Sequence, residues 1–233
     1  MKNASYIDEI SKQWWYLWNT KVCCLDKNRD QNKNSDDGQE TKVKILLAAF
    51  DEIYKRGFQA ASLSRILKDT GITKGALYHH FENKTVLGYA VIDEVIQDTI
   101  RSNWIAPLDD SDDPIRVLTD MLMKSGASMT EEDIRLGCPL NNLAQEMSPI
   151  NEGFRSRIDA IYQEWQDAIE SALNRGKTAG NIKSSIDSKE EALMFIASLQ
   201  GCIGFAKSVQ KLDTLMICGK GLIDRLELLR SLK

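Results

Sequence analysis

The sequence predicts an all-α protein in which a three-helix unit with a helix-turn-helix precedes a larger helical domain. Apolar residues recur at three- and four-residue steps through almost all of residues 41–233, which is the spacing of amphipathic helices. We find no strict alternation of apolar and polar residues of the kind that a half-buried strand needs. Prolines stand only at positions 107, 114, 139 and 149, so they interrupt little of the helical pattern.

Charge is distributed unevenly along the 233 residues, which suffice for one large or two modest domains. The whole chain has a net charge of −4, so it is not a general binder of polyanions. Between residues 41 and 90, eight basic residues stand against four acidic ones, which gives +4 and leaves −8 for the remainder. Such asymmetry is typical of a protein with one nucleic-acid-binding segment.

Cysteine and histidine content argues against several classes of protein. The five cysteines, of which Cys23 and Cys24 are adjacent, fit a reducing cytosol better than a disulfide framework. No apolar run reaches the roughly 18 residues of a membrane helix, and we recognise no signal peptide, so we expect a cytoplasmic protein that binds no membrane. Both histidines, His79 and His80, lie in one predicted helix, which leaves none for catalysis or zinc binding elsewhere. We therefore expect no enzyme activity, no cofactor and no metal site.

Residues 1–40 are predicted to be an N-terminal extension and a polar linker. Residues 26–40 are almost entirely polar, which indicates a linker or a disordered arm. Ahead of them an apolar stripe predicts one short amphipathic helix that contains Ile7, Ile10, Trp14, Leu17 and Trp18. Two roles stay open for this helix, namely a dispensable extension or a segment that docks on the body or on a partner subunit.

Residues 41–86 predict three helices joined by two glycine turns. The first helix follows Thr41 and ends at Gly57, since glycine is common just past a helix end. Ser62 then caps a short second helix. A turn at Thr70-Gly71-Ile72-Thr73 leads into a third helix, and this arrangement is typical of a helix-turn-helix. Leu77 and Phe81 face the core, and the opposite face stays exposed.

The exposed face of the third helix suits the phosphate-lined groove of double-stranded DNA. Thr73 and the first helical amides offer hydrogen-bond donors, and Lys74 adds a positive charge. The small residue Gly75 lets the helix approach base edges, while Tyr78 and His79 supply further hydrogen bonds.

Three motifs carry a resemblance to a known family: TKVKILLAAF, SLSRIL and GITKGALYHHFENK. From Thr41 to about Val91 the chain resembles the DNA-binding domain of TetR-family regulators in all three helices, both turns and the following lysine. The resemblance implies a dimer that binds a palindromic operator. It places these residues at the DNA: Ser62, Ser64, Thr73, Lys74, Gly75, Tyr78, His79 and Lys84. Arg65 departs from the family pattern, in which an acidic residue is frequent.

Residues 87–233 are predicted to form the ligand-binding and dimerisation domain. An apolar stripe predicts a long helix near 151–175, Ser188-Lys189-Glu190-Glu191 predicts a capping box, and a last helix is expected near 212–230. The last two helices have adjacent apolar faces that favour a four-helix bundle shared by two chains, although burial within one chain stays open. The face residues are Leu193, Ile196, Ala197, Gly201, Gly204 and Phe205 in one helix and Leu215, Leu222, Ile223, Leu226 and Leu229 in the other.

The resemblance also implies a pocket for a small-molecule inducer in this domain. Large apolar side chains and two asparagines are the candidate ligand contacts, although ordinary core packing is open for each one alone. They are Trp104, Met121, Met123, Met129, Cys138, Asn141, Asn142, Phe154, Tyr162, Trp165 and Phe195.

Cys138 stands before Pro139, which suits a first helical turn, so we expect the cysteine at the N-cap with a lowered thiol pKa. The segment GCPLNNLA is similar to one in a TetR subgroup that includes regulators responsive to aromatic or electrophilic compounds. A reactive sensor and an ordinary structural cysteine both stay open.

These features predict a repressor that a small apolar, aromatic or electrophilic ligand releases from its operator. Two alternatives remain, which are a ligand-independent activator or architectural protein and a thiol-reactive enzyme that uses Cys138.

Overall fold

The computed structural model describes residues 33–109 and 111–231, and every regular element in these ranges is helical, which confirms the predicted fold class. The predicted helix around Trp14 lies outside the described residues. In order, the elements are α1 (Lys33–Arg56), α2 (Leu63–Leu67), α3 (Lys74–His80), α4 (Lys84–Val91), a π-helical turn (Ile92–Ile96), α5 (Gln97–Ile100), a second π-helical turn (Arg101–Ile105), a 3-10 turn (Ala106–Leu108), α6 (Pro114–Ser128), α7 (Glu131–Leu136), α8 (Pro139–Met147), α9 (Glu152–Thr178), α10 (Ser188–Val209) and α11 (Leu212–Glu227).

Helix α1 begins at Lys33, eight residues before the expected start at Thr41. The prediction of a linker is therefore wrong for residues 33–40. Adding residues to an existing helix costs far less than starting one, so polar residues can extend a helix whose later turns are held by packing. Glu40 and Lys44, one turn apart, also form an ion pair of 2.6 Å.

The first three helices enclose a small apolar core. Ile45, Ala49 and Ile53 of α1 are buried, as are Ile66 of α2 and Leu77 of α3. This core joins that of the larger domain in one continuous cluster, because α4 packs against α1 on one side and against α9 on the other. The expected boundary between residues 86 and 87 falls inside α4, and the division into two domains remains a prediction.

The larger domain is organised around α9. This helix packs along α10, and α10 packs along α11. Phe154, Trp165 and Ile169 of α9 are almost fully buried.

The N-terminus of α10 is capped by Asp187, so the capping box predicted at Ser188 is wrong. One carboxylate oxygen of Asp187 accepts the N–H groups of Lys189 and Glu190 over 2.9 and 3.0 Å. These hydrogen bonds lower the pKa of Asp187, with that from Glu190 the stronger. Asp187 has the extended backbone of a cap residue, while Ser188 is already the first residue of the helix.

Among the described helices, only Ser188–Val209 is long and apolar enough to cross a membrane by length and composition. The core helix of a soluble protein passes the same test, so this feature alone is weak support for a membrane span.

The two faces predicted for subunit contact differ in the structure. Leu215, Leu222 and Leu226 of α11 are buried within the chain, which is the alternative to contact with a partner subunit that the sequence left open. On α10, the side chain of Phe205 is 61% exposed, and a Cβ added at Gly201 would meet only open space. Apolar surface is therefore left uncovered on α10. It continues on the outer side of α11 and includes Leu193, Phe205, Leu212, Met216 and Ile217.

Candidate nucleic-acid interface

A short, internally bonded turn joins α2 to α3. Gly71 has a φ of +71°, a backbone conformation that favours glycine. The Thr70 hydroxyl donates to the Leu67 carbonyl over 3.0 Å and accepts the Ile72 N–H over 3.1 Å. Because these bonds fix the turn, they also fix the angle between the two helices that it joins.

Side-chain caps define where both helices begin. The Ser62 hydroxyl accepts the N–H of Arg65 over 3.3 Å at the start of α2. At the start of α3, the Thr73 hydroxyl accepts the N–H of Ala76 over 3.1 Å. Both cap residues have extended backbone, as the sequence predicts.

Helix α3 has one buried and one exposed face. Leu77 is fully buried, and Phe81, its C-cap, is almost so. On the other side Lys74, Gly75 and His79 are exposed, and Tyr78 is 44% exposed. Six of the eight residues predicted to contact DNA are exposed, namely Ser64, Thr73, Lys74, Gly75, Tyr78 and His79, while Ser62 and Lys84 are partly buried.

Polar groups on this face are close enough to act together. The Lys74 ammonium lies 5.9 Å from the centre of the Tyr78 ring, within the range of a cation–π contact. A Cβ added at Gly75 would meet only the Thr73 hydroxyl, at 3.8 Å, so the backbone of α3 is open to close approach there.

Arg65 has a structural role that accounts for its departure from the family pattern. Its Nε donates to Glu52 Oε1 over 2.5 Å, and its Nη2 donates to the Ala60 carbonyl. Glu52 is largely buried in α1 and also accepts the N–H of Ser62 over 3.4 Å. Arg65 therefore ties α2 to α1.

Lys84 turns towards the loop between α1 and α2. Its ammonium donates to the Gln59 carbonyl over 3.0 Å and lies 4.7 Å from the centre of the Phe58 ring. Burial lowers the pKa of Lys84.

Three of the predicted ligand residues meet in the larger domain. The Trp104 ring lies 5.3 Å from that of Trp165 and 6.4 Å from that of Phe195, measured between ring centres. Trp104 belongs to a π-helical turn, a feature that is frequent at functional sites. The Trp165 indole N–H is buried and has no hydrogen-bond partner among the described residues.

Cys138 and Tyr162 form a second, polar group. Cys138 is the N-cap of α8, as predicted, but burial raises the pKa of its thiol, so the predicted lowering is wrong. Nearby amide N–H groups and the side chain of Gln200 oppose this rise without cancelling it. Burial also raises the pKa of Tyr162, and the proximity of Cys138 adds to the rise.

The remaining predicted ligand residues lie apart or are already bonded. Phe154 packs 4.5 Å from Phe58, ring centre to ring centre, at the junction with the three-helix unit. Asn142 donates to the Leu136 carbonyl over 2.8 Å and accepts from Lys207 over 2.9 Å. Met123 is 63% exposed, so its assignment to a pocket is wrong. Met121 is buried, and Met129 and Asn141 are partly buried.

Two cavities in the described part of the chain are lined by few of the predicted ligand residues. One, of about 10 Å³, lies between α6, α9, α10 and α11 and is lined by Leu118, Leu173, Phe195 and Leu226 among others. The other is an open cleft of about 620 Å³ near Asp112 and Arg175, and it includes none of the predicted ligand residues.

Sequence reasoning missed Gln200 and Glu146. Gln200 is largely buried, and its Oε1 has no partner among the described residues. Glu146 lies within α8 and accepts two N–H groups from the α1–α2 loop. The amphipathic pattern gives no signal for either residue, because their partners are distant in sequence.

A helix-turn-helix with an exposed polar third helix, set on a larger helical body, defines the class of DNA-binding transcriptional regulators. Two family models match the chain: "Bacterial regulatory proteins, tetR family" over residues 45–90 and "Tetracyclin repressor-like, C-terminal domain" over residues 114–215. Together they span more than half of the sequence.

Individual relatives agree with the family models. An uncharacterized HTH-type transcriptional regulator of Lactococcus lactis subsp. lactis is 30% identical over 177 residues, which cover 76% of this chain and 88% of that protein. The HTH-type transcriptional repressor DhaR of Mycobacterium sp. (strain GP1) is 28% identical, with 64% and 73% covered. A TetR transcriptional regulator structure from Chloroflexus aurantiacus has a TM-score of 0.74 at 24% identity and covers 85% of this chain and 100% of its own. The chain belongs to the TetR family of transcriptional regulators.

Proposed function

We propose that this protein is a homodimeric repressor that binds a palindromic operator in double-stranded DNA and leaves it when a small-molecule inducer binds. The observation that carries this proposal is the exposed polar face of α3 above the buried Leu77. DNA binding, dimer formation and response to ligands are typical of the family, and one relative is described as a repressor. Action on DNA implies a cytoplasmic location.

The DNA contacts that we propose combine charge with direct readout. Lys74 and the first amides of α3 would bind phosphate, and Tyr78 and His79 would lie at base edges in the major groove. Ser62, Ser64, Thr73 and Lys84 would bind the flanking backbone, and Gly75 would permit close approach. Selection of bound sequences from random duplex DNA tests this proposal, since a repressor of this type selects a palindrome and binds it less tightly as salt rises.

The dimer contact that we propose uses the exposed apolar surface of α10 and α11. Phe205 and Ile217 are 61% and 74% exposed, and contiguous apolar surface of this kind marks protein contact sites. A Cβ added at either Gly201 or Gly204 would meet nothing within 4 Å, so a second helix can approach closely there. Sedimentation at micromolar concentration tests the dimer.

The inducer site that we propose lies between the Trp104 ring group and the polar group around Cys138. Two buried atoms without partners support this location, a donor on Trp165 and an acceptor on Gln200. A ligand hydroxyl can accept from the first or donate to the second, and aromatic rings can stack on the three-ring group. Titration of wild-type protein with matched phenols and toluenes, followed by operator release, tests this chemistry.

Release requires a change in the spacing of the two recognition helices. The helices must stand about 34–36 Å apart to enter successive major grooves. A 100-fold loss of affinity needs a coupling of about 2.7 kcal/mol between inducer and DNA, which is within the usual range. A ligand-independent activator would bind the same DNA but would show no such release.

A further inference from the structure

The loop between α1 and α2 presents two backbone N–H groups to the larger domain. Gly57 ends α1 with a φ of +82°, so the chain turns sharply away from the helix axis. Consecutive amides after such a turn form a concave donor surface that suits a carboxylate. Phe58 N–H donates to Glu146 Oε2 and Gln59 N–H donates to Glu146 Oε1, each over 2.8 Å.

The loop and the carboxylate fit closely. A Cβ added at Gly57 would lie 2.9 Å from Glu146 Oε2, so a side chain at this position would displace the carboxylate. Lys84 completes the group, since its ammonium bonds the Gln59 carbonyl and the Glu146 charge raises its pKa against the effect of burial. The Glu146 carboxylate therefore accepts two N–H groups from the same loop whose Gln59 carbonyl accepts the Lys84 ammonium.

Glu146 lies near the end of α8, and the start of the same helix is fixed to other elements. Tyr54 donates to the Gly137 carbonyl over 2.6 Å, just before α8. Lys207 of α10 donates to Asn142 over 2.9 Å. The nine residues of α8 span about 13 Å, so a rigid helix connects α10 and the Cys138 group to the loop beside α2.

We propose that Glu146 is a positioning residue that fixes the three-helix unit relative to the larger domain through the Phe58 and Gln59 amides. Any displacement of α8 is then passed directly to the loop that leads into α2. The Lys42–Glu94 ion pair, 2.6 Å, links α1 to the π-helical turn that follows α4, so a second contact, separate from the loop, joins the three-helix unit to the rest of the chain. The effect of Glu146 on DNA binding rests on the proposed function, whereas the contact between Glu146 and the loop does not.

The experiment compares Glu146→Gln with wild type and with Glu152→Gln as the matched control. Glu152 is exposed and pairs only with Arg155 on its own helix among the described contacts, so its exchange leaves the loop intact. Glutamine at position 146 keeps one acceptor and places an NH₂ group against the second N–H. Hydrogen exchange at the Phe58 and Gln59 amides measures the contact without DNA, and we expect about 10-fold faster exchange in Glu146→Gln alone.

Operator spacing measures the positioning role. The probes are a duplex selected by the wild-type protein and the same duplex with one base pair inserted at its centre. We expect wild type and Glu152→Gln to prefer the first by about 10-fold, and Glu146→Gln to prefer it by less than about 3-fold, because its recognition helices are less firmly oriented. Unchanged exchange in both Glu146→Gln and Glu146→Ala would overturn the contact, and an unchanged spacing preference would overturn the positioning role. If wild type binds no duplex at all, the proposed function fails while the exchange result still decides the contact.

Discussion

Substitution of Gly88 by alanine tests the junction between the three-helix unit and the larger domain. Gly88 of α4 is buried between the Phe58 and Phe154 rings. An added Cβ would lie 2.5 Å from Phe58 Cε2 and 2.8 Å from Phe154 Cζ, which is closer than atoms can pack. The two rings already contact each other at 4.5 Å between centres, so neither can move away without disturbing its neighbours.

Two opposing effects set the magnitude. Overpacking in a well-filled core costs about 1–3 kcal/mol. Replacing a helical glycine by alanine returns about 1 kcal/mol. Because both sides of Gly88 are occupied by rings, we place the cost near its upper end and expect a net destabilisation of about 1–2 kcal/mol. For a chain of this length, that lowers the Tm by about 3–6 °C.

Thermal unfolding followed by circular dichroism measures this change, with Gly75→Ala as the matched control. Gly75 is helical and exposed, and an added Cβ there meets no atom closer than 3.8 Å. Gly75→Ala should therefore keep or slightly raise the Tm, but it should weaken operator binding because the methyl group faces the groove. A Gly88→Ala protein as stable as wild type would refute the packing argument.

Three further predictions concern charge, chemistry and assembly. Lys74→Ala should weaken binding to all duplex sequences and should reduce the slope of the log of the association constant against the log of the salt concentration by about 1. Fluorescence anisotropy measures both effects, and an unchanged slope would show that Lys74 does not bind phosphate. Because burial raises the pKa of Cys138, little of its thiol should be ionised at pH 8. Intact-mass analysis should therefore show that Cys138 is alkylated more slowly in the folded protein than in the protein unfolded by urea. Equal rates would contradict the burial of this thiol. Phe205→Asp should yield monomers at micromolar concentration in sedimentation. Met123→Asp, a control at a residue of α6 with similar exposure, should remain a dimer. A dimer in the Phe205→Asp variant would show that the α10 face is not the dimer contact.

The helix-turn-helix could be predicted from the sequence because its signals are local. Ser62 and Thr73 cap helices that begin within one residue of them, and Gly57 and Gly71 take the positive φ that their turns require. The burial of Leu77 and the exposure of Tyr78 follow from helical spacing alone. Each of these features depends on residues only a few positions apart.

Predictions that depended on distant partners were less successful. The structure contains the apolar stripe that the sequence predicts for α11. The spacing of its residues does not say whether the stripe packs against α10 of the same chain or against a second subunit. Cys138 occupies the N-cap, yet its pKa is decided by burial against other helices rather than by the helix terminus. Glu146 carries no local signal because the amides that it accepts lie 87 and 88 residues away. Helix α1 begins well before its first apolar residue, Val43, where no pattern marks the start.

Hydroxyl-radical footprinting on a duplex selected by the wild-type protein tests the central claim, that α3 presents Lys74, Tyr78 and His79 to a major groove. We predict two protected half-sites whose centres lie about one helical turn, roughly 10 base pairs, apart or a multiple of it. A double substitution, Lys74→Ala with His79→Ala, should abolish the protection while the far-UV circular dichroism spectrum stays unchanged. Equal protection by that variant and wild type, or no protection by wild type at low ionic strength, would contradict the account.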